Sequence, residues 1–177
     1  MAEFISSDTN VWIDFHEIGA VGLPFRLPCT YLMWAEAVDD EVRSPGGLRG
    51  ELLAAGLVPV DITAEEFFLA DGYGDRYVGL SAYDAVALAI AKSRGIVLMT
   101  GDRRLRRAAA EEGVDVTGTI GVLDRLLAEG LADEGEYRSC IAALLEANGG
   151  VVRLPEDELR ERLGNCSTYR NFQETED

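Results

Sequence analysis

Cysteine and histidine are scarce in this chain, and their scarcity narrows the chemistry that its side chains can support. The three cysteines, Cys29, Cys140 and Cys166, are widely spaced and form no CxxC pair. This pattern disfavours a disulfide framework or a zinc site and is typical of a reducing cytosol. The single histidine, His16, is predicted about two turns along the first helix, where we expect it on the surface.

Long apolar runs and a targeting signal are also lacking. No stretch approaches the roughly 18 apolar residues that a membrane helix requires. Met1-Ala2-Glu3 has neither the basic region nor the apolar segment of a secretion signal. We therefore expect a cytoplasmic protein without membrane contact. With 47% hydrophobic residues, a chain of 177 residues can bury one proper core.

Positive charge is the third shortage, with 16 basic residues against 32 acidic ones and a net charge of −16. So acidic a chain repels nucleic acid at long range. Either the substrate is not nucleic acid, or local basic patches and metal overcome the average charge. The acids also favour solubility in salty surroundings, where screening weakens repulsion, and they would attract a basic partner.

Apolar periodicity and turn residues predict an alternation of strands and helices. Strands are predicted at residues 4–8, 29–34, 57–62, 96–100 and 114–117. Helices are predicted at residues 10–17, 35–43, 48–55, 81–94, 103–112, 119–129, 136–147 and 155–163, with a short one opened by a capping box at 63–66. Pro59 indicates that the third strand lies at an edge or is short, and 71–79 is predicted as a loop. The alternation indicates an α/β fold with a central parallel sheet of four to five strands, covered by helices on both faces.

Four carboxylates are the candidate functional residues. Asp8 and Asp102 each follow a predicted strand, at the edge where ligands bind in open parallel sheets. Glu41 and Asp84 lie in helical segments between them. Carboxylate oxygens suit Mg²⁺ or Mn²⁺, and the four acids are predicted to be both metal ligands and catalytic residues.

Each acid also has a purely structural interpretation. Asp84 matches Ser81-x-x-Asp84, a capping box, and Asp102 suits the start of a helix. Asp8 could be a turn acid, and Glu41 lies in an acidic run typical of a solvated face. Both interpretations stay open at this point.

Polar and basic neighbours extend the candidate site. Asn10 and Thr100 could hydrogen-bond the metal ligands or their waters. The main basic cluster directly follows Asp102 and consists of Arg103, Arg104, Arg106 and Arg107. Arg103, Arg104 and Arg107 are candidate contacts for substrate phosphate. Alternatively, the cluster pairs in solvent with Glu111 and Glu112.

Several of these segments resemble the PIN-domain nucleases. Asp8-Thr9-Asn10 resembles their D-x-N/S opening. Residues 35–42 resemble the second acidic helix of a poorly characterised prokaryotic branch, which has the pattern P-E-A-V-Y-D-E-L. The last Glu of that pattern is the metal-site acid in the branch, and Glu41 occupies its position here. Asp84 and Thr100-Gly101-Asp102 match the third and fourth acids, and residues 118–123 resemble a G-T-x-G-x-L segment. Ala35 replaces a usual proline, and Tyr83-Asp84 stands where some relatives have Gly-Glu.

The resemblance implies a fold, an activity and partners. It implies one PIN-like domain at residues 1–164, with a core at 4–130 and C-terminal helices at 131–164. The polar composition of residues 165–177 predicts a flexible tail. It implies metal-dependent cleavage of RNA by Asp8, Glu41, Asp84 and Asp102. Relatives of this kind, the VapC-like toxins, commonly form homodimers and are neutralised by a small antitoxin.

Two alternatives to a ribonuclease remain. A catalytically inactive, PIN-like protein-binding module would keep the fold, and the acidic surface favours it. A phosphatase or phospho-receiver domain would use an aspartate after the first strand for phosphoryl transfer, but both also need a lysine near a later strand end. The sole lysine, Lys92, is predicted in mid-helix, which disfavours this second alternative.

Overall fold

A sheet of five parallel strands organises the chain, in the order β3-β2-β1-β4-β5. The structure is a computed structural model that describes residues 3–43 and 45–173, with side chains described as far as residue 164. The strands are β1 (Glu3–Ser7), β2 (Cys29–Trp34), β3 (Val58–Val60), β4 (Val97–Met99) and β5 (Val116–Thr117). β3 is an edge strand, as Pro59 predicted.

Helices connect the strands and cover both faces of the sheet. They are α1 (Thr9–Glu17), α2 (Ala35–Asp40), α3 (Leu48–Ala55), α4 (Ala64–Arg76), α5 (Ala82–Arg94), α6 (Arg103–Glu111), α7 (Thr119–Ala128), α8 (Glu134–Ala147) and α9 (Glu156–Gln173), with a short 3₁₀ helix at Pro24–Arg26. None of those within the described part of the chain is both long and apolar enough to cross a membrane.

The strand order places a functional crevice at one defined point. From the central strand β1 the chain builds outward through β2 to β3, then returns to β4 on the other side of β1. Ligands of such sheets bind outside the carboxyl ends of the strands where the order reverses. That point lies between β1 and β4, directly before Asp8 and Asp102.

Two apolar clusters lie on opposite faces of the sheet. Successive β4 residues alternate between them, with Leu98 in the cluster formed with α4, α5 and α6 and Met99 in the larger cluster formed with α1, α7 and α8. Side chains on a strand point to alternate faces, so this alternation defines three layers. The predicted three-layer α/β/α fold with a central parallel sheet is confirmed.

The prediction of a loop at residues 71–79 is wrong, because α4 continues to Arg76. Gly72 and Gly74 lower helix propensity, but nothing lies within 4 Å of either position and the helix passes through them. Tyr73 is buried, and its hydroxyl donates a hydrogen bond to Glu112 at the end of α6. This long-range contact outweighs the local glycine signal.

Other boundaries shift at the ends of elements. The second helix, predicted over 35–43, ends at Asp40, so that Glu41 follows it. Asp8, predicted as the last residue of the first strand, is the N-cap residue of α1. α9 extends to Gln173, into the segment predicted as a flexible tail, while the last part of that segment, 174–177, lies outside the described residues.

Candidate functional site

Asp8 lies at the centre of the candidate site. Its backbone N–H donates to the carbonyl of Met99 at 3.0 Å, which ties the end of β1 to the end of β4. The side chain is only 8% exposed. Its Oδ2 accepts hydrogen bonds from Thr100 Oγ1 at 2.7 Å and from Asn10 Nδ2 at 2.5 Å. Asn10 in turn accepts the Gly101 N–H at 2.8 Å, so Asn10 and Thr100 hold the carboxylate in place.

The environment of Asp8 disfavours its negative charge. Burial raises the pKa of this carboxyl from 3.8 to about 7, and the hydrogen bond from Thr100 only partly offsets that effect. The charges of Asp84 and Glu41 raise the pKa further. A cation bound here would offset both the cost of burying the charged carboxylate and its repulsion by Asp84 and Glu41.

Glu41 reaches the site from the end of α2. Its Oε2 accepts a hydrogen bond of 2.7 Å from Thr9 Oγ1, at the start of α1. Burial raises the pKa of Glu41, and the charges of Asp84 and Asp40 raise it further. The role of Thr9 was missed at the sequence level, because its partner lies far away along the chain.

The structural roles foreseen for Asp84 and Asp102 are both present. Asp84 forms the capping box of α5 with Ser81. Asp102 caps α6, with Oδ1 accepting the N–H groups of Arg104 and Leu105 at 2.8 and 2.9 Å. Each cap uses one oxygen, Asp84 Oδ2 or Asp102 Oδ1. The second oxygen of each makes no hydrogen bond within the described residues, so capping leaves it available to a ligand.

Three of the four acids lie close enough for their charges to interact. The charges of Asp84 and Glu41 raise the pKa of Asp8, and the charge of Asp84 raises that of Glu41. Asp102 is joined to Asp8 through Thr100, whose Oγ1 accepts the Asp102 N–H at 3.1 Å. Asp8 and Glu41 also line a cavity of about 10 Å³, close to the space that one water needs. Trp34 and Tyr83 close its other side, and the Tyr83 hydroxyl is held by Asp40 at 2.9 Å.

The donor set fits a hard divalent cation in its chemistry. None of the four acids forms an ion pair with any residue that the structure describes, whereas Glu66, Glu112 and Asp124 each pair with an arginine. Carboxylate oxygens are the preferred protein ligands of Mg²⁺ and related ions. As they stand, the side chains form no group of three or more acids, histidines or cysteines spaced to hold a metal within the described residues.

The arginines after Asp102 point in different directions. Arg104 donates to the Gly79 carbonyl at 3.3 Å and Arg106 to the Thr100 carbonyl at 2.9 Å. Arg107 pairs with Glu111 at 3.3 Å, as the solvent-pairing alternative expected for part of the cluster. Arg103 is exposed and has no hydrogen bond or ion pair among the residues described.

The G-T-x-G segment braces this end of the sheet. A Cβ at Gly118 would lie 3.3 Å from the Thr100 carbonyl and 3.0 Å from Arg106, so the segment packs closely behind the site. Thr119 donates a hydrogen bond of 2.5 Å to the buried carboxyl of Asp14. Burial raises the pKa of Asp14 to about 6, against the effect of that bond. Asp14 was not a predicted site residue, and its sequence neighbours give no signal for it.

Comparison with known proteins adds one finding to this geometry. Residues 4–167 match the family described as the PIN domain. Neither a curated protein nor a solved structure matches the chain. The matched segment includes all four candidate acids and covers most of the sequence, and PIN domains are generally nucleases. The chain therefore belongs to the PIN-domain family, as its motifs predicted.

Proposed function

We propose that this protein is a divalent-metal-dependent ribonuclease that hydrolyses RNA phosphodiester bonds. The observation that carries the proposal is the group formed by Asp8, Glu41 and Asp84. They lie near the carboxyl end of β1, close enough for the charges of Asp84 and Glu41 to raise the pKa of Asp8 and for the charge of Asp84 to raise that of Glu41. None of the three forms an ion pair with a described residue. A cation bound here would offset the cost of this concentrated negative charge, which supports a metal site.

Asp8, Glu41 and Asp84, with the free oxygen of Asp102, would hold Mg²⁺ or Mn²⁺. Bound there, the metal would lower the pKa of a water and stabilise charge on the phosphate oxygens. Thr100 and Asn10 orient Asp8 by donating to its Oδ2, and Thr9 orients Glu41. Removing such orienting partners costs about 10–100-fold in metal affinity or activity.

Cleavage of a labelled RNA with Mg²⁺, with Mn²⁺ and with excess EDTA tests this function. We expect cleavage only with metal, and a loss on the order of a hundredfold or more in Asp8→Asn and Asp84→Asn, since ligands matter at least as much as their orienting partners. Asp71→Asn is the matched control, because it removes the same charge from an exposed position on α4. Cleavage that survives both Asp8→Asn and Asp102→Asn would rule out the assignment.

A protein-binding module without activity is the second candidate. The wide spacing of the acids and the caps made by Asp84 and Asp102 favour it. Calorimetric titration separates the two functions, because the module need not bind Mg²⁺ or Mn²⁺ at millimolar concentration. Phosphoryl transfer through an aspartyl phosphate gains no support, since the Lys92 amine donates to the Glu112 carbonyl rather than approaching Asp8.

The biological setting belongs to the same proposal. We propose a cytoplasmic toxin that acts as a homodimer and is neutralised by a small antitoxin encoded beside it. Light scattering of the purified chain measures the oligomer. Co-expression with a small neighbouring open reading frame tests neutralisation, and growth arrest without relief by that product would contradict the toxin pairing.

A further inference from the structure

Among the arginines that the structure describes, two groups differ in their ion pairing. Most are neutralised by carboxylates, and the described pairs hold Arg26, Arg43, Arg49, Arg76, Arg94, Arg107, Arg125, Arg160 and Arg162. Arg103, Arg104, Arg106 and Arg153 form no ion pair with any described residue. With twice as many acids as bases in the sequence, an arginine without an acidic partner is unexpected.

All four of these unpaired arginines line one cavity. It has a volume of about 1110 Å³ and lies between the start of α6, the start of α7 and the connection from α8 to α9. Arg104 and Arg106 spend one N–H each on backbone carbonyls, whereas Arg103 and Arg153 donate to nothing that the structure describes. Both are exposed, so their charges face solvent within the cavity.

The acids of the same cavity do not cancel this charge. Asp14 is buried, its carboxyl accepts a hydrogen bond from Thr119, and it forms no ion pair with a described arginine. Glu156 pairs with Arg160, and Glu158 with Arg162. That leaves Asp102, one of the candidate metal ligands. The cavity is thus a locally cationic surface on a molecule with a net charge of −16.

Size and position indicate what this cavity holds. Small-molecule sites usually measure about 300–1,000 Å³, so a cavity of about 1110 Å³ suits part of an extended ligand. Its lining includes Asn10, Gly101 and Asp102, and the Asn10 side chain donates a hydrogen bond to the carboxylate of Asp8. A chain lying in the cavity would therefore reach the candidate cleavage site.

We propose that this cavity binds the sugar–phosphate backbone of RNA, with Arg103 and Arg153 as its direct phosphate contacts. The inference rests on the proposed function and extends it with a binding surface. Arg153, in the connection before α9, brings the C-terminal part of the chain into substrate binding. Guanidinium groups match phosphate in geometry and stay charged at every relevant pH. Gathering four arginines that have no described acidic partner into one cavity would let an acidic protein admit RNA there.

Binding without cleavage isolates the cavity from the metal site. Fluorescence anisotropy of a short labelled single-stranded oligoribonucleotide, measured in EDTA, reports affinity for the metal-free protein. We expect Arg103→Ala and Arg153→Ala each to weaken binding roughly fivefold. Each lost phosphate contact should lower the slope of log K against log salt by about 0.7. Both side chains are exposed and unpaired, so neither substitution threatens folding.

Arg107→Ala is the matched control. It removes the same charge from α6, but Arg107 pairs with Glu111 and does not line the cavity. Unchanged binding in this variant supports the proposal. If Arg107→Ala and Arg153→Ala weaken RNA binding equally, the proposal is overturned. That result would favour phosphate contact by the wider arginine cluster after Asp102. Wild-type affinity in both cavity variants, no binding of RNA in EDTA, or equally tight binding of polyglutamate would also overturn it.

Kinetics with metal separate failure of the cavity from failure of the proposed function. For the cavity variants we expect a higher KM and a nearly unchanged kcat, because a backbone contact binds substrate and transition state alike. If RNA binds through Arg103 and Arg153 but is never cleaved, the proposed nuclease function is refuted and the proposed RNA-binding cavity stands. If both variants cleave RNA with an unaltered KM, the nuclease function stands and the role of the cavity in RNA binding is refuted.

Discussion

At the scale of single residues, the molecule accepts an energetic cost at Asp8. The folded-state pKa of this carboxyl, about 7, lies above its ordinary value of 3.8. Between these two values the unfolded chain releases a proton that the folded chain keeps. Stability therefore falls as the pH rises through this window, and above pH 7 the full cost applies, about 4 kcal/mol.

Asp8→Asn should remove this cost. In EDTA at about pH 8, we expect the variant to exceed the wild type in free energy of unfolding by about 2–4 kcal/mol, and the difference should shrink toward pH 4. Urea unfolding at several pH values measures it, with Asp71→Asn as the charge-matched control. A variant less stable than the wild type at every pH would contradict this account of the site.

At the scale of elements, α4 shows how one side chain can anchor a helix. Glu66 is 1% exposed, completes the capping box with Thr63, and accepts two hydrogen bonds from Arg94 at the end of α5. The paired guanidinium lowers the pKa of Glu66. The pair joins the start of α4 to the end of α5, the helix that carries Asp84 at its other end.

Glu66→Ala should destabilise the protein by about 3 kcal/mol, because it breaks a cap and leaves Arg94 without its partner. Glu65→Ala is the control, since Glu65 lies in the same first turn but is exposed and unpaired within the described residues. Its effect should stay within about 0.5 kcal/mol. Thermal and urea unfolding compare the two variants, and similar losses in both would show that the buried pair contributes nothing.

At the scale of the whole molecule, net charge governs stability and binding together. A net charge of −16 makes the folded state repel itself, and salt screens that repulsion. Screening alone acts through ionic strength, whereas a bound ion stabilises by mass action at its site. The two contributions can therefore be separated at equal ionic strength.

NaCl should raise the melting temperature of both the wild type and Asp8→Asn. MgCl₂ at the same ionic strength should raise that of the wild type further, by about 2–4 °C for each kcal/mol of binding free energy. Asp8→Asn should lack this additional rise, and differential scanning calorimetry measures it. An equal response of the two proteins to MgCl₂ would place the ion elsewhere.

Short-range patterns determined much of this protein. The alternation of elements and the edge position of β3 depend on neighbours a few residues apart and were predicted, the latter as one of two outcomes. The capping box of Ser81 with Asp84 and the cap at Asp102 are equally local and were foreseen as alternatives to metal binding. Acids placed after buried strands indicated the candidate site, because parallel strands must end at a common edge.

Contacts between distant segments decided the rest. Only the tertiary structure shows that Tyr73 extends α4 toward Glu112, that Thr9 holds Glu41, and that Arg153 shares a cavity with Arg103. Local sequence cannot encode these pairs, since a side chain's charge and hydrogen bonds depend on which remote groups the fold brings beside it. Which arginines have acidic partners is a property of that arrangement, and it separates Arg107 from Arg153.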